Sequence, residues 1–208
     1  MNTKVFAIIA AAACTVASAD TIDYLTQDRS ITIGANLPFG PQTQTNNAPN
    51  NFNLFISDLT GSFNDADGAA SGHASQFSSL GQNVIIANGD AGGTVGPPAG
   101  TSTGWGNSYF AVTFSLAQST DYSLDFNSFG DNGTYSFTGA SLSHTGSVLG
   151  ASISESGTLD AGVYEFVIDF GVTSVLENGD YSFNFTVPAP STAGLLGLGM
   201  LAATRRRR

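Results

Sequence analysis

Between Arg29 and Arg205 the chain contains no lysine and no arginine. All sixteen Asp and Glu lie between Asp20 and Asp180, while the remaining basic residues, Lys4 and Arg205 to Arg208, sit at the two ends. With both ends set aside, Arg29 alone faces sixteen carboxylates, one positive charge against sixteen negative, a net −15. A body of that charge has nothing with which to neutralise phosphates, which excludes nucleic acid as a partner. The same charge opposes adsorption to anionic membrane surfaces. The lack of lysine also removes Schiff-base and Ser–Lys chemistry.

Cysteine is nearly absent. Cys14 is the only one, and it lies in an amino-terminal stretch that reads as a removable signal. An exported chain without other cysteines forgoes disulfides, thiol nucleophiles and cysteine–zinc sites. Histidine is scarce too: His73 in "GAASGHASQ" and His144 in "SLSHTGS", neither beside a Gly-x-Ser-x-Gly elbow. No phosphate loop or dinucleotide fingerprint occurs. Glycoside hydrolysis needs two carboxylates about 5–10 Å apart. Glu165 and Asp169 share one strand face, but four residues of extended chain separate them by about 13 Å. The expectation is a non-enzymatic protein with no catalytic residues.

What is present begins with the amino end. Lys4 precedes the apolar run Val5 to Ala13, and Ala17-Ser18-Ala19 is a small-x-small cleavage site. This is the order of a secretory signal over residues 1–19, giving a mature chain from Asp20. Cys14 follows Ala11-Ala12-Ala13, without the large aliphatic residue that lipoprotein processing prefers.

The carboxyl end, "VPAPSTAGLLGLGMLAATRRRR", has three parts in order: Pro188-Ala189-Pro190, the apolar stretch Ala193 to Ala203, and Arg205, Arg206, Arg207 and Arg208. The eleven apolar residues span about 16 Å as a helix, short of a bilayer core of about 30 Å. The arginines form a cytoplasmic basic stop. A short greasy helix with such a stop suits transient membrane insertion better than permanent anchorage. These parts resemble the PEP-CTERM sorting signal of bacterial exported proteins, with Ala189 in place of the family's glutamate. The resemblance covers residues 188–208. It implies a sorting protease of the exosortase class as partner. It also implies delivery to the cell surface or extracellular matrix after transient inner-membrane retention, often alongside extracellular polysaccharide. A sortase signal of the Leu-Pro-x-Thr-Gly type is not matched.

Residues 20–187 read as an all-β body. Tyr122-Ser-Leu124-Asp-Phe126, Tyr135-Ser-Phe137 and Tyr181-Ser-Phe183-Asn-Phe185-Thr-Val187 alternate apolar and polar residues. Period two places the rings on one face and Ser, Asp, Asn and Thr on the other, the pattern of antiparallel strands over a core. Val84 to Ala87 and Tyr109 to Phe114 are more continuous and read as central strands, Asn53 to Leu59 as a further strand, and Gln76 to Leu80 as a short helix or strand. The recurring turn-then-tyrosine pattern ("DNGTYSF", "DAGVYEF", "NGDYSF") predicts positive-φ glycines at 133, 162 and 179. It also predicts tyrosines that bury their rings and bond back to the turn. Gly40 to Asn53 and Asn88 to Gly106 read as long loops. The size fits a single antiparallel β-sandwich of eight to ten strands, jelly-roll-like, flanked by an N-terminal signal helix and a short C-terminal hydrophobic helix.

Two features of the body point to chemistry. "FNDADGAAS" sets Asp65 and Asp67 before Gly68, oxygen ligands beside a sharp turn, and makes a structural calcium ion the expected cofactor if one is bound. It is no EF-hand, because Phe63 and Ala74 stand where acids belong. Trp105, with Tyr109 nearby, offers an aromatic plate for a sugar ring. The expected function is a surface or matrix protein associated with exopolysaccharide; the alternatives are a carbohydrate-binding module using the Trp105 loop and a secreted hydrolase.

Overall fold

A computed structural model describes residues 22–96, 102–173 and 178–188, all within one unit, Asp20–Ala189. The cleavage residues Ala17 and Ala19, the motif residues Ala189 and Pro190, the four terminal arginines and both expected flanking helices lie outside the described residues. Among those described, every regular element is a strand, and none is a helix long and apolar enough to cross a membrane.

The strands are β1 (Asp23–Leu37), β2 (Gly40–Asn47), β3 (Phe55–Asn64), β4 (Ala69–Leu80), β5 (Val84–Val95), β6 (Thr103–Leu116), β7 (Thr120–Phe129), β8 (Asn132–Gly139), β9 (Ser143–Ser147), β10 (Ser152–Leu159), β11 (Gly162–Thr173) and β12 (Gly179–Thr186). They form one antiparallel sheet that curls on itself. One arm runs β3-β4-β5-β12-β7-β10 and the other β2-β1-β6-β11-β8-β9. Among the described residues a single residue pair, Val95 with Thr103, joins β5 to β6 and so joins the arms.

Alternation explains the core. On β12, Tyr181, Phe183 and Phe185 are buried while Asp180, Ser182 and Asn184 face water. On β11, Phe166, Ile168 and Phe170 point inward, and on β6 Phe110, Val112 and Phe114 do. Rings from the two arms meet edge to face, Phe126 with Phe137 at 5.2 Å and Phe166 with Phe183 at 5.5 Å between centroids. Such pairs add about 0.5–1.5 kcal/mol each beyond their buried area.

The core thins where β4 and β5 approach β6, because the inward residues there are small. A Cβ added to Gly106 would stand 1.9 Å from the His73 carbonyl oxygen, and one on Gly104 would stand 1.9 Å from that of Ser71. Backbones therefore touch where other sheets are held about 10 Å apart by side chains.

The body's one cation is inside. Arg29 is 1 % exposed and, among the described residues, bonds to neutral acceptors. Its Nε donates to Gln27 Oε1 at 2.7 Å, its Nη2 to the Asn51 carbonyl at 3.0 Å and its Nη1 to Ser78 Oγ at 3.2 Å. The guanidinium also sits 5.7 Å from the Phe55 ring centre. Both ends of the body rest on the β4–β5 turn. The Ile22 N–H donates to the Gln82 carbonyl at 2.8 Å, and the Val187 N–H to that of Asn83 at 2.9 Å.

Several expectations need correction. Among the described residues there are twelve strands, not eight to ten. Gly40 to Asn47 is no loop but β2, an edge strand exposed along nearly its whole length, where Pro41 is tolerated. The loop read over Asn88 to Gly106 is largely strand: β5 runs to Val95 and β6 starts at Thr103. Gly133 and Gly162 take positive φ, but Gly179 does not. A Cβ on Gly179 would stand 2.3 Å from the Phe129 carbonyl oxygen, so contact is what demands glycine there. Tyr164 bonds back to its turn, donating to the Asp160 carbonyl at 2.7 Å. Tyr181 reaches Gln76 and Ser108 instead, and Tyr122 reaches Glu155.

Candidate functional site

Trp105 belongs to β6, paired with Gly34 on β1 and Thr173 on β11. Gly104 and Gly106 turn inward against the facing backbone, so the alternation sends Trp105 outward, together with Thr103, Asn107 and Tyr109. The neighbouring strand makes room for the indole. A Cβ on Gly34 would lie 2.4 Å from its ring, so the ring rests directly on the β1 backbone. Glycine contacts on one face of β6 thus fix the tryptophan on the other.

A cleft of about 510 Å³ opens beside it, lined by Thr32, Asn36, Asn107, Asn132 and Thr173 among others. Among the described residues its lining carries no charged side chain. Carboxylates stand just behind. Asp169 accepts from Asn107 Nδ2 at 2.7 Å, and Asp131 accepts from the Thr173 hydroxyl at 2.5 Å and its N–H at 2.9 Å. Further along β6, partial burial pushes up the Tyr109 phenol, and Asp28, Asp169 and Glu165 push it the same way. Chemically this is an indole plate framed by amides and hydroxyls within an acidic surround. Such a surface has the chemistry to stack on and hydrogen-bond a polyol.

Asp65 and Asp67 occupy the β3–β4 turn. Asp65 Oδ2 accepts from the Phe39 N–H and Oδ1 from the Asp67 N–H, both at 3.0 Å. These bonds, with one from Gly68, hold the exposed carboxyl below its usual value. The carboxylate thereby ties the β1–β2 turn to the β3–β4 turn. Each oxygen keeps a second lone pair for a cation, but calcium takes 6–8 oxygens. Among the described residues no group of three or more His, Cys, Asp or Glu converges.

One cluster was invisible in the sequence. His144 Nε2 on β9 lies 2.9 Å from Glu155 Oε1 on β10, and the Tyr122 hydroxyl on β7 donates to the same oxygen at 2.7 Å. The Tyr122 phenol is pushed up to about 12, first by burial and then by this carboxylate. Strand β10 ends one arm of the curled sheet and β9 ends the other, so the cluster laces one arm to the other. His73 lies 3.7 Å from Asp90, which also accepts from Ser75. The cleft residues Asn36, Asn107, Asn132 and Thr173 also went unread. The usable signal was the outward period-two series Thr103, Trp105, Asn107, Tyr109, hidden by the glycines between.

Residues 186–208 match the family model of the PEP-CTERM protein-sorting motif. The match starts at Thr186, the last residue of β12, and takes in Pro188, which follows the buried Val187. The motif implies an exported bacterial protein recognised by an exosortase-type sorting enzyme. No curated protein and no solved structure matches the chain.

Proposed function

We propose that the chain is a non-enzymatic protein of the cell surface or extracellular matrix, delivered by exosortase-type sorting and associated there with polysaccharide. The observation that carries the delivery is the sorting motif at residues 186–208. On this reading the signal over residues 1–19 starts export. The arginine stop then holds the tail briefly in the inner membrane until the enzyme cuts near Pro188-Ala189-Pro190. The body is a jelly-roll-like sandwich formed by the two arms of the curled sheet. The test is processing in cells with and without the sorting enzyme. Mature surface protein that lacks Arg205 to Arg208 supports the proposal; mature protein that keeps them overturns it.

The second reading is favoured by the Trp105 cleft, and makes the body a carbohydrate-binding module. Its support is the seated indole flanked by Asn36, Asn107 and Asn132. Glycan-array binding that disappears in Trp105→Ala is the expected result. The non-enzymatic reading rests on the sequence, where neither histidine stands beside a Gly-x-Ser-x-Gly elbow and the body carries no lysine. Release of reducing sugar by the purified body would overturn it in favour of a hydrolase. Calcium at Asp65 and Asp67 belongs to the proposal as a structural ion. A melting temperature that rises with calcium, and no longer does so in Asp65→Ala, supports it; no change with EDTA removes it.

A further inference from the structure

The Trp105 cleft differs from a general polar groove in what its walls lack. Among the described residues, the side chains that line it and can bond a ligand are three amides, Asn36, Asn107 and Asn132, three hydroxyls, Thr32, Thr103 and Thr173, and the Trp105 indole N–H. Their poses are set from behind. Asp169 takes one Asn107 N–H, Asp131 takes the Thr173 hydroxyl proton, and Asn36 Nδ2 lies 3.4 Å from Thr103 Oγ1. The carboxylates therefore serve as props for neutral side chains and also set a negative potential over the cleft. Asp28 and Glu165 extend that potential towards Tyr109. The body's one Lys or Arg, Arg29, is buried with neutral acceptors and gives no counter-charge at the surface. An anionic ligand would lose hydration at this cleft and meet no cation in return. An uncharged ring loses only hydroxyl–water bonds, which the amides and hydroxyls replace, while its C–H face covers the indole. Trp105 and Tyr109 face the same way about 13 Å apart along β6, a second aromatic ring for a ligand longer than one sugar.

We infer that the Trp105 cleft selects uncharged glycans and excludes uronate- or sulfate-bearing ones. This rests on the carbohydrate-binding reading and narrows it to a substrate class. It also separates the ligand from the acidic polymers that a surface of opposite charge would collect.

The test is the purified body on an array carrying neutral, uronate and sulfated oligosaccharides. Retention on a neutral and on a uronate polymer gel follows, at low salt and at about 0.5 M salt. The expected result is binding to neutral members, unchanged by salt, and no uronate or sulfate binding at either salt. Trp105→Ala should weaken the neutral binding about tenfold or more, a loss of one stacked ring, and Trp105→Tyr should restore part of it. Melting curves confirm that both variants are folded. Asp28→Asn with Glu165→Gln should leave neutral binding unchanged and raise uronate retention at low salt. Binding of uronate members as tightly as neutral ones, dependent on Trp105, would overturn the selectivity and leave the carbohydrate reading standing. Binding of no glycan at all would overturn both.

Discussion

The contact between β4 and β6 makes Gly106→Ala the sharpest test of the fold. The new Cβ would stand 1.9 Å from the His73 carbonyl oxygen, 3.0 Å from its carbon and 3.1 Å from the Gly92 nitrogen. Relief needs a separation of more than an ångström, and neither strand moves alone. β6 is paired along most of its length to β1 and to β11, and β4 to β3 and β5. Overpacking of this kind costs about 3 kcal/mol, the upper part of its usual range. Alanine restricts the unfolded chain, which offsets about 0.5–1 kcal/mol. The net loss of about 2 kcal/mol lowers the melting temperature by about 4–8 °C for a domain of this size. Circular dichroism reads the global transition. Fluorescence of the lone tryptophan, Trp105 next door, reads the site and should shift in the folded variant. The control is Gly157→Ala, whose nearest contact is a Tyr122 ring carbon at 3.3 Å; the same unfolded-chain gain of about 0.5–1 kcal/mol should leave it at the parent's melting temperature or up to about 4 °C above it. A Gly106→Ala protein that melts with the parent would refute the idea that backbone contact fixes this end of the sheet.

Tyr164→Phe removes the hydroxyl that bonds the Asp160 carbonyl, and should lower the urea midpoint by about 1–2 kcal/mol in stability with an unchanged slope. Arg29→Lys keeps the charge but loses the fork that reaches Gln27, Ser78 and Asn51, and should cost about 2–3 kcal/mol by chemical denaturation. Equal stability would show that those bonds contribute nothing. Burial pushes the Tyr181 phenol up to about 12 from an ordinary value of about 10. A raised folded value means stability that is whole below about pH 10 and lost as pH rises through about 12. Tyr181→Phe should flatten that alkaline loss in denaturation midpoints measured from pH 9 upward, and an unchanged profile would place the loss elsewhere.

Strands that are buried on one face and wet on the other were easy to read. β7, β8 and β12 alternate cleanly because Leu124, Phe137 and Phe183 go in while Asp125, Ser136 and Asn184 face out. β2 was missed because it lies exposed at the sheet edge, so Gln42-Thr43-Gln44-Thr45 has no inside to alternate with. The glycine-rich parts of β5 and β6 looked like loop because composition usually ties glycine to turns. Here Gly93, Gly104 and Gly106 are required by touching backbones, a reason that lies between strands distant in sequence. The same logic hid Tyr122, His144 and Glu155, which only topology brings together. The tail was legible because a sorting signal is linear and is recognised in chain order.

The β4–β5 turn that receives Ile22 and Val187 lies at one end of the sheet; Val95, Thr103 and the indole lie at the other. Val84 to Gly93, the stretch of β5 from that turn to the level of Trp105, covers about 30 Å at 3.3 Å per residue. A label or linker joined at Ile22 or at Val187 would therefore be attached about 30 Å from the cleft, well clear of Trp105.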